Sequence, residues 1–181
     1  MHSKPQAELI TRKYREVFGA SARLAFAEWL QAGREMGAAL GYRRAGADPL
    51  FLEAYLDRPV EQLAGEALGR PIRREAIVEI GNFAADNAIA MVELWGRAAN
   101  DLGSGGEVAV ATLTAPLRRM FARIGLPITP LAAADPDRLE GAAAEWGSYY
   151  ATDPMVCMGV IADGQAAIAA FLARRNRKAA A

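Results

Sequence analysis

The stretch AIVEIGNFAADNAIAMVELW, Ala76 to Trp95, narrows the possible folds more than any other part of the chain. Its first half alternates Ile77, Glu79 and Gly81 against Val78, Ile80 and Asn82, the two-residue period of a strand over Ala76 to Phe83. Its continuation, from about Asn87 to Leu102, spaces Ile89, Val92, Leu94 and Trp95 as a helix able to cover a sheet. GSGGE, Gly103 to Glu107, ends that helix, and VAVATLT, with several β-branched residues, reads as another strand. Strand, helix and strand in succession imply a sheet with helices packed on it. A carboxylate, Glu79, and an amide, Asn82, stand where the first strand gives way to the helix, a place where a chain building only a core would put apolar or solvated residues.

The rest of the chain follows the same alternation. Leu9, Ile10, Tyr14, Val17 and Phe18 recur at helical spacing between Ala7 and Gly19, and Met36 to Arg43 reads as a strand. Arg23 to Leu30 fits one arm of a hairpin or a helix leading into that strand. A helix runs between Pro59 and Gly69, and another opens at Thr114-Ala115-Pro116, a cap followed by an early proline, and stops at Gly125. LPITPLAAA reads as a short strand, DPDRLEGAAAEWGSYY as an Asp135-capped helix breaking near Gly147, and PMVCMGVIA as a buried strand. Residues 164–181 form a terminal helix with a basic end. With no linker or repeat, residues 1–181 are expected to be one α/β (α+β) domain.

Lys and Arg equal Asp and Glu at 21 each, so no basic field attracts nucleic acid or anionic lipid, and neither is an expected partner. The stretch MHSKPQAELITRKYREVF is broken by charges and has no apolar h-region, and no run is long and apolar enough to cross a bilayer. Cys157 is the one cysteine, so no internal disulfide can form, and it sits in an apolar run as a small hydrophobe. A cytoplasmic protein is expected. No cysteine pair or usable histidine supports a metal site, since the one histidine is His2.

Four blocks, GYRRAGADPLFLEAYLDRPVEQ, IVEIGNFA, TLTAPLRRMFARIGL and WGSYYATDPMVCMG, resemble, in this order, the thermostable hemolysin family over about two-thirds of the chain. The order of elements also resembles the Gcn5-related N-acetyltransferase fold, a mixed central sheet flanked by helices. VEIGNFA is similar to the E-x-S-R-F strand of acyl-homoserine-lactone synthases, which use that fold. The resemblance implies acyl transfer from a thioester lying in the splay between two central parallel strands, here Ala76 to Phe83 and Val108 to Leu113. The family name implies haemolysis, yet the chain shows no export signal, β-hairpin pore pattern or strongly basic amphipathic helix, so direct lysis is not expected.

Amide formation from a thioester needs a base for the amine, a donor at the developing oxyanion and an acid for the thiolate. With histidine absent beyond His2, a carboxylate must be the base, and Glu79 is the first choice; burial would raise its pKa toward a useful value. The equal alternative is a structural carboxylate paired with Arg43 or Arg73. Asn82, or the backbone of Gly81 to Phe83, could bind the thioester carbonyl, Gly81 allowing a bulge; the alternative is an asparagine capping the next turn. Phe121 stands where the resembling acetyltransferases often keep the tyrosine that protonates the thiolate. Tyr150 or Tyr149, beside Trp146, could replace that acid; the alternative is that the three only wall the pocket.

In LFLEAYLD, Glu53 and Tyr55 alternate with apolar residues, as in an extended segment with a polar face or a loop. That face could bind the acceptor amine while Arg43 and Arg44 grip a carboxylate, or it could be a salt-bridged edge. Thr112, at the end of the second parallel strand, completes the expected substrate-binding set. ADNAIA replaces the glycine-rich turn that holds the coenzyme A pyrophosphate in the acetyltransferases, so an acyl carrier protein becomes as eligible a donor as acyl-coenzyme A. The apolar residues of the splay suit a fatty acyl chain better than acetyl. A small-molecule amine is the expected acceptor, a homodimer is left open, and a non-catalytic ligand-binding or toxin-like protein is the alternative function.

Overall fold

The computed structural model describes residues 5–21, 24–33 and 37–180, so His2 and Met36 lie outside the described residues, as does part of the Arg23 to Leu30 segment. The elements run α1 (Pro5–Phe18), β1 (Glu28–Ala32), β2 (Ala38–Arg44), α2 (Val60–Leu68), β3 (Ile77–Ala85), α3 (Ala88–Leu102), β4 (Val108–Leu113), α4 (Ala115–Ile124), β5 (Thr129–Ala133), β6 (Met155–Val160) and α5 (Ile161–Ala179). Six strands form one sheet in the order β1-β2-β3-β4-β6-β5. Only β3 and β4 pair in parallel, joined by the crossover helix α3, and every other neighbour is antiparallel. This is the mixed sheet flanked by helices that the sequence implies.

Strand alternation sorts the core between the two faces. Val78, Ile80, Ala111, Leu113 and Cys157 point to the face covered by α3, α4 and α5, where Leu94, Trp95, Phe121, Ile161 and Ile168 meet them. Ile77, Val108, Val110, Val156 and Met158 point to the opposite face, beneath Leu52 and α2. Farther along that second face α1 lays Leu9, Ile10 and Tyr14 against Ala39 and Ala84. The two apolar clusters of the second face leave a gap between them over the middle of β3 and β4.

Local chemistry explains most boundaries. Asn87 caps α3, its side chain accepting from the Ala90 N–H at 2.9 Å. Gly69 and Gly125 end α2 and α4 with φ of 66° and 79°, the left-handed conformation that glycine adopts without penalty. Thr114 occupies the N-cap of α4 without a side-chain bond.

Three expectations change. The segment DPDRLEGAAAEWGSYY does break at Gly147, φ 54°, but it is no α-helix: Glu140 and Gly141 at φ of 47° and 88° interrupt it as well, leaving the 3₁₀ turns Pro136–Leu139, Ala142–Trp146 and Tyr149–Thr152. Asp135 caps only the first turn, through Asp137 N–H. Phe51–Tyr55 is likewise a 3₁₀ turn, so Glu53 and Tyr55 do not share the face that strand alternation would give them. The terminal helix begins at Ile161, three residues before Gly164.

Candidate functional site

The site arises where the parallel pair comes apart. Pairing of β3 with β4 runs from Ile77↔Val108 to Ile80↔Ala111 and stops, while β3 continues along β2 and β4 continues along β6. At that point β3 takes an extra residue: Gly41 pairs with Gly81, but Ala39 pairs with Ala84, so Asn82 and Phe83 on β3 oppose Leu40 alone on β2. Asn82 absorbs the bulge with φ of 49°, a conformation asparagine tolerates better than most residues. One added residue reverses the alternation, and Phe83 returns to the α3 face, where it packs on Trp95 at 5.3 Å. The backbone from Gly81 to Phe83 therefore has no β4 partner and faces the splay.

Over the splay lies a cleft of about 550 Å³ on the second face. Tyr55, Glu79, Gly81, Asn82, Phe83, Thr112, Trp146 and Tyr149 all line it. Arg43, Glu53 and Tyr150 do not. The lining also contains residues that sequence reasoning missed, above all Tyr14, Phe26, Phe51 and Arg138. Tyr14 carried only the signal of an apolar helix face. Phe26 carried none, since its place depends on two glycines in other strands: its ring lies across the paired Gly41 and Gly81, where a Cβ on either would come within 2.7 Å of it.

Glu79 is 3% exposed and its carboxylate holds three donors. Oε2 accepts from Arg43 Nε at 2.8 Å and from Phe51 N–H at 3.0 Å, and Oε1 accepts from Leu52 N–H at 2.8 Å. Each carboxylate oxygen has two lone pairs, so Oε1 keeps one for a group in the cleft. Burial raises the Glu79 pKa above its ordinary value against the lowering by Leu52 N–H and Arg43. Arg43 also donates to the Pro49 carbonyl at 2.8 Å and lies 3.7 Å over the Phe51 ring, so it fastens the cleft wall from behind. Arg44 turns away, to the Ser104 carbonyl.

Four of the five tyrosines lie near one another, Tyr14, Tyr55 and Tyr149 in the cleft lining and Tyr150 behind them. The Tyr149 hydroxyl stands 3.5 Å from the Thr112 carbonyl, at the outer limit of a hydrogen bond, and remains available to a better acceptor. Tyr150 instead shares a 2.7 Å hydrogen bond with the Tyr55 hydroxyl. Burial raises the pKa of all four, so they are donors at neutral pH. Glu53 is turned to Arg74, which grips both its oxygens at 2.8 Å, while Leu50 and Val60 donate backbone N–H groups to it. That is the salt-bridged alternative for Glu53.

On the far side of the sheet a second, apolar cavity of about 60 Å³ lies under α3 and α5, and Ile80 borders both it and the cleft. Phe121 is fully buried in its wall against Trp95 at 4.8 Å. Cys157 lines it too, its thiol pushed up to about 11 by burial. The N-terminus of α3, where the resemblance would place a pyrophosphate, has its Ala90 N–H taken by the Asn87 side chain, and the carboxylate of Asp86 precedes it in the chain. Among the described residues no group of three His, Cys, Asp or Glu side chains could hold a metal ion, and no helix is long and apolar enough to cross a membrane.

A mixed sheet with a bulged, splayed central pair opening on a cleft defines a Gcn5-related N-acetyltransferase-like fold. FeeM, an N-acyl amino acid synthase from uncultured soil microbes, matches with a TM-score of 0.56 at 15% identity over 89% of this chain and 91% of its own. TofI in a ternary complex with an inhibitor and MTA matches at 0.56 and 17% over 90% and 88%. MesI, a CoA-dependent acyl-homoserine lactone synthase, matches at 0.55 and 14% over 89% and 84%. No curated protein matches the sequence. The family model of the thermostable hemolysins matches residues 2–165, and the chain belongs to that family.

Proposed function

We propose that the protein transfers an acyl group from a thioester to the amine of a small acceptor. The observation that carries this reading is the position of the Glu79 carboxylate, with one free lone pair, in the wall of a cleft that opens directly on the β3–β4 splay. The amine nitrogen attacks the thioester carbonyl, forming the C–N bond, and its proton passes to Glu79 Oε1. Backbone N–H groups of the Gly81–Phe83 bulge stabilise the oxyanion. The C–S bond breaks, and the leaving thiolate takes its proton from Tyr149, the hydroxyl nearest the end of β4. Solvent restores both groups.

Tyr149 displaces Tyr150 in that role because the Tyr150 hydroxyl is committed to Tyr55 and lies outside the cleft lining. The capped α3 N-terminus with Asp86 beside it disfavours a diphosphate there, which supports an acyl carrier protein over coenzyme A as donor. Two of the structural neighbours support the class, FeeM being an N-acyl amino acid synthase and MesI a CoA-dependent acyl-homoserine lactone synthase. A cytoplasmic location accords with such a donor.

Thiol release from acyl carrier protein and acyl-coenzyme A, each with a panel of amines, tests the reading. Amine-dependent release that falls at least about 100-fold in Glu79→Gln, with the fold intact, supports it. One observation favours a binding protein without turnover: three donors already hold the Glu79 carboxylate. Ligand binding with no thiol release, unchanged in Glu79→Gln, would establish that second reading.

A further inference from the structure

We infer that Arg118 is the positioning residue of the leaving-group step: it holds Tyr149 at the end of β4 and keeps a positive charge beside the phenolate that Tyr149 becomes on protonating the thiolate. The inference rests on the acyl-transfer reading and adds to it a residue outside the cleft lining. The need for such a residue follows from Phe121. An acid on α4 would be placed by the helix itself, but Phe121 is fully buried there against Trp95, and the acid comes instead from the Tyr149–Thr152 turn. Hydrogen-bond geometry in a 3₁₀ turn is poorer than in an α-helix, so this turn needs outside support.

Arg118, on the first turn of α4, supplies it. Its Nη1 donates to the Leu113 carbonyl at 2.7 Å and to the Asp153 carbonyl at 2.6 Å, and its Nη2 donates to the Asp153 carboxylate at 2.6 Å. Leu113 follows Thr112, whose carbonyl the Tyr149 hydroxyl approaches, and Asp153 closes the turn with φ of 52°. One guanidinium thus joins the end of β4 to the end of the turn that carries Tyr149.

A tie alone does not require a cation. The Arg118 side chain is 17% exposed and that of Asp153 75%, so water screens the carboxylate more than the guanidinium, and a positive charge remains directed at the interior. Burial and the hydroxyls of Tyr14, Tyr55 and Tyr150 push the Tyr149 pKa up, and the Arg118 charge opposes them. Burial likewise pushes up the Cys157 thiol, and Arg118 opposes that too, so its charge is felt on both faces of the sheet. The step balances: the C–S bond breaks with its electron pair on sulfur, the Tyr149 O–H proton passes to the thiolate, and the phenolate carries the negative charge until solvent returns a proton. Arg118 acts through Tyr149 by stabilising that charge.

The test compares a donor that needs an acid with one that does not. Amine-dependent thiol release is measured with acetyl, hexanoyl and decanoyl thioesters of N-acetylcysteamine and of thiophenol, whose thiolate leaves unprotonated, for wild type, Tyr149→Phe, Arg118→Gln and Arg118→Lys. The ratio of alkyl to aryl release within one variant does not depend on how much of that variant is folded. It should fall at least about tenfold in Tyr149→Phe and in Arg118→Gln, whereas Arg118→Lys, which keeps the charge without the planar fork, should retain most of it. A ratio unmoved in Arg118→Gln, or lost equally in Arg118→Lys, overturns the inference while the acyl-transfer reading stands. Release by the wild type from no donor, acyl carrier protein and acyl-coenzyme A included, retires the acyl-transfer reading and this role with it.

Discussion

Arg43 and Glu79 face each other across the β2–β3 ladder and are joined through Nε and Oε2 at 2.8 Å. The pair sits at the one place on β3 where a carboxylate is both buried and exposed to the cleft, and Arg43 continues from it to Pro49 and Phe51. It thus links the strand that bears the chemistry to the turn that walls the site.

Replacing Glu79 by Gln places an amide N–H₂ against a donor whichever way it turns, because both oxygens receive N–H groups. The expected loss is about 1–3 kcal/mol, well within the stability of a domain this size. Arg43→Met removes the countercharge of a buried carboxylate and should cost about 2–4 kcal/mol, the lower end favoured by the partial exposure of Arg43. It should also raise the Glu79 pKa further, moving the acid limb of the pH–rate profile upward. Urea unfolding and that profile check both; an unmoved limb excludes Glu79 as the titrating base.

Phe26 fills the slot that Gly41 and Gly81 leave by lacking side chains. Gly81→Ala must displace the ring and should cost about 1–3 kcal/mol. Phe26→Ala removes the obstacle, so the double variant should cost less than the two single losses added together, by about 0.5 kcal/mol or more. Strict additivity in denaturant unfolding would show that the ring does not rest on Gly81.

Much of this was legible because it depends on local chemistry. The alternation through Glu79, the span of α3 to Leu102 and the stops at Gly69 and Gly125 each follow from residues within one turn of the feature. Arg43 is one of the two arginines that the sequence offers as a structural partner for Glu79. What was not legible depends on distant packing or on backbone signs. Glu140 adopts φ of 47° although it carries a side chain, and with Gly141 it breaks the 135–152 segment into turns there. Glu53 follows the 3₁₀ turn toward Arg74, which lies 21 residues on, and no period-2 pattern anticipates that.

The end of α1 is sewn to the 145–148 turn: Ser148 N–H donates to the Phe18 carbonyl at 2.8 Å and Ser21 N–H to the Glu145 carbonyl at 3.0 Å. These bonds hold Tyr14, Trp146 and Tyr149 together over the cleft. A Cβ at Gly147 would run into the Phe18 carbonyl oxygen, whereas one at Gly141, also at positive φ, would meet nothing within 4 Å. Gly141→Ala should therefore lose only the backbone strain, about 1 kcal/mol. Gly147→Ala should lose at least twice that and weaken every ligand of the cleft. Equal melting temperatures for the two variants would mean that the seam contributes nothing.

Acid should unfasten the 45–60 segment through Glu53. Two contacts from Arg74, together with Val60 and Leu50 N–H groups, hold its carboxyl at about 2 against an ordinary 4.5, despite the opposing effect of burial. A carboxyl with a depressed native pKa adds stability above the unfolded value and loses it as pH falls through the native one. The contribution is thus complete above about pH 5, declines from there toward pH 2, and amounts to about 3 kcal/mol. Glu79, whose pKa is raised, acts with the opposite sign, but it is common to wild type and Glu53→Gln and cancels in their difference. Urea unfolding of both proteins from pH 7 to pH 2 should show a constant gap at neutral pH that closes in acid. A gap independent of pH would mean that the carboxyl does not titrate with folding, and that the Arg74 clasp stabilises the segment by shape instead of charge.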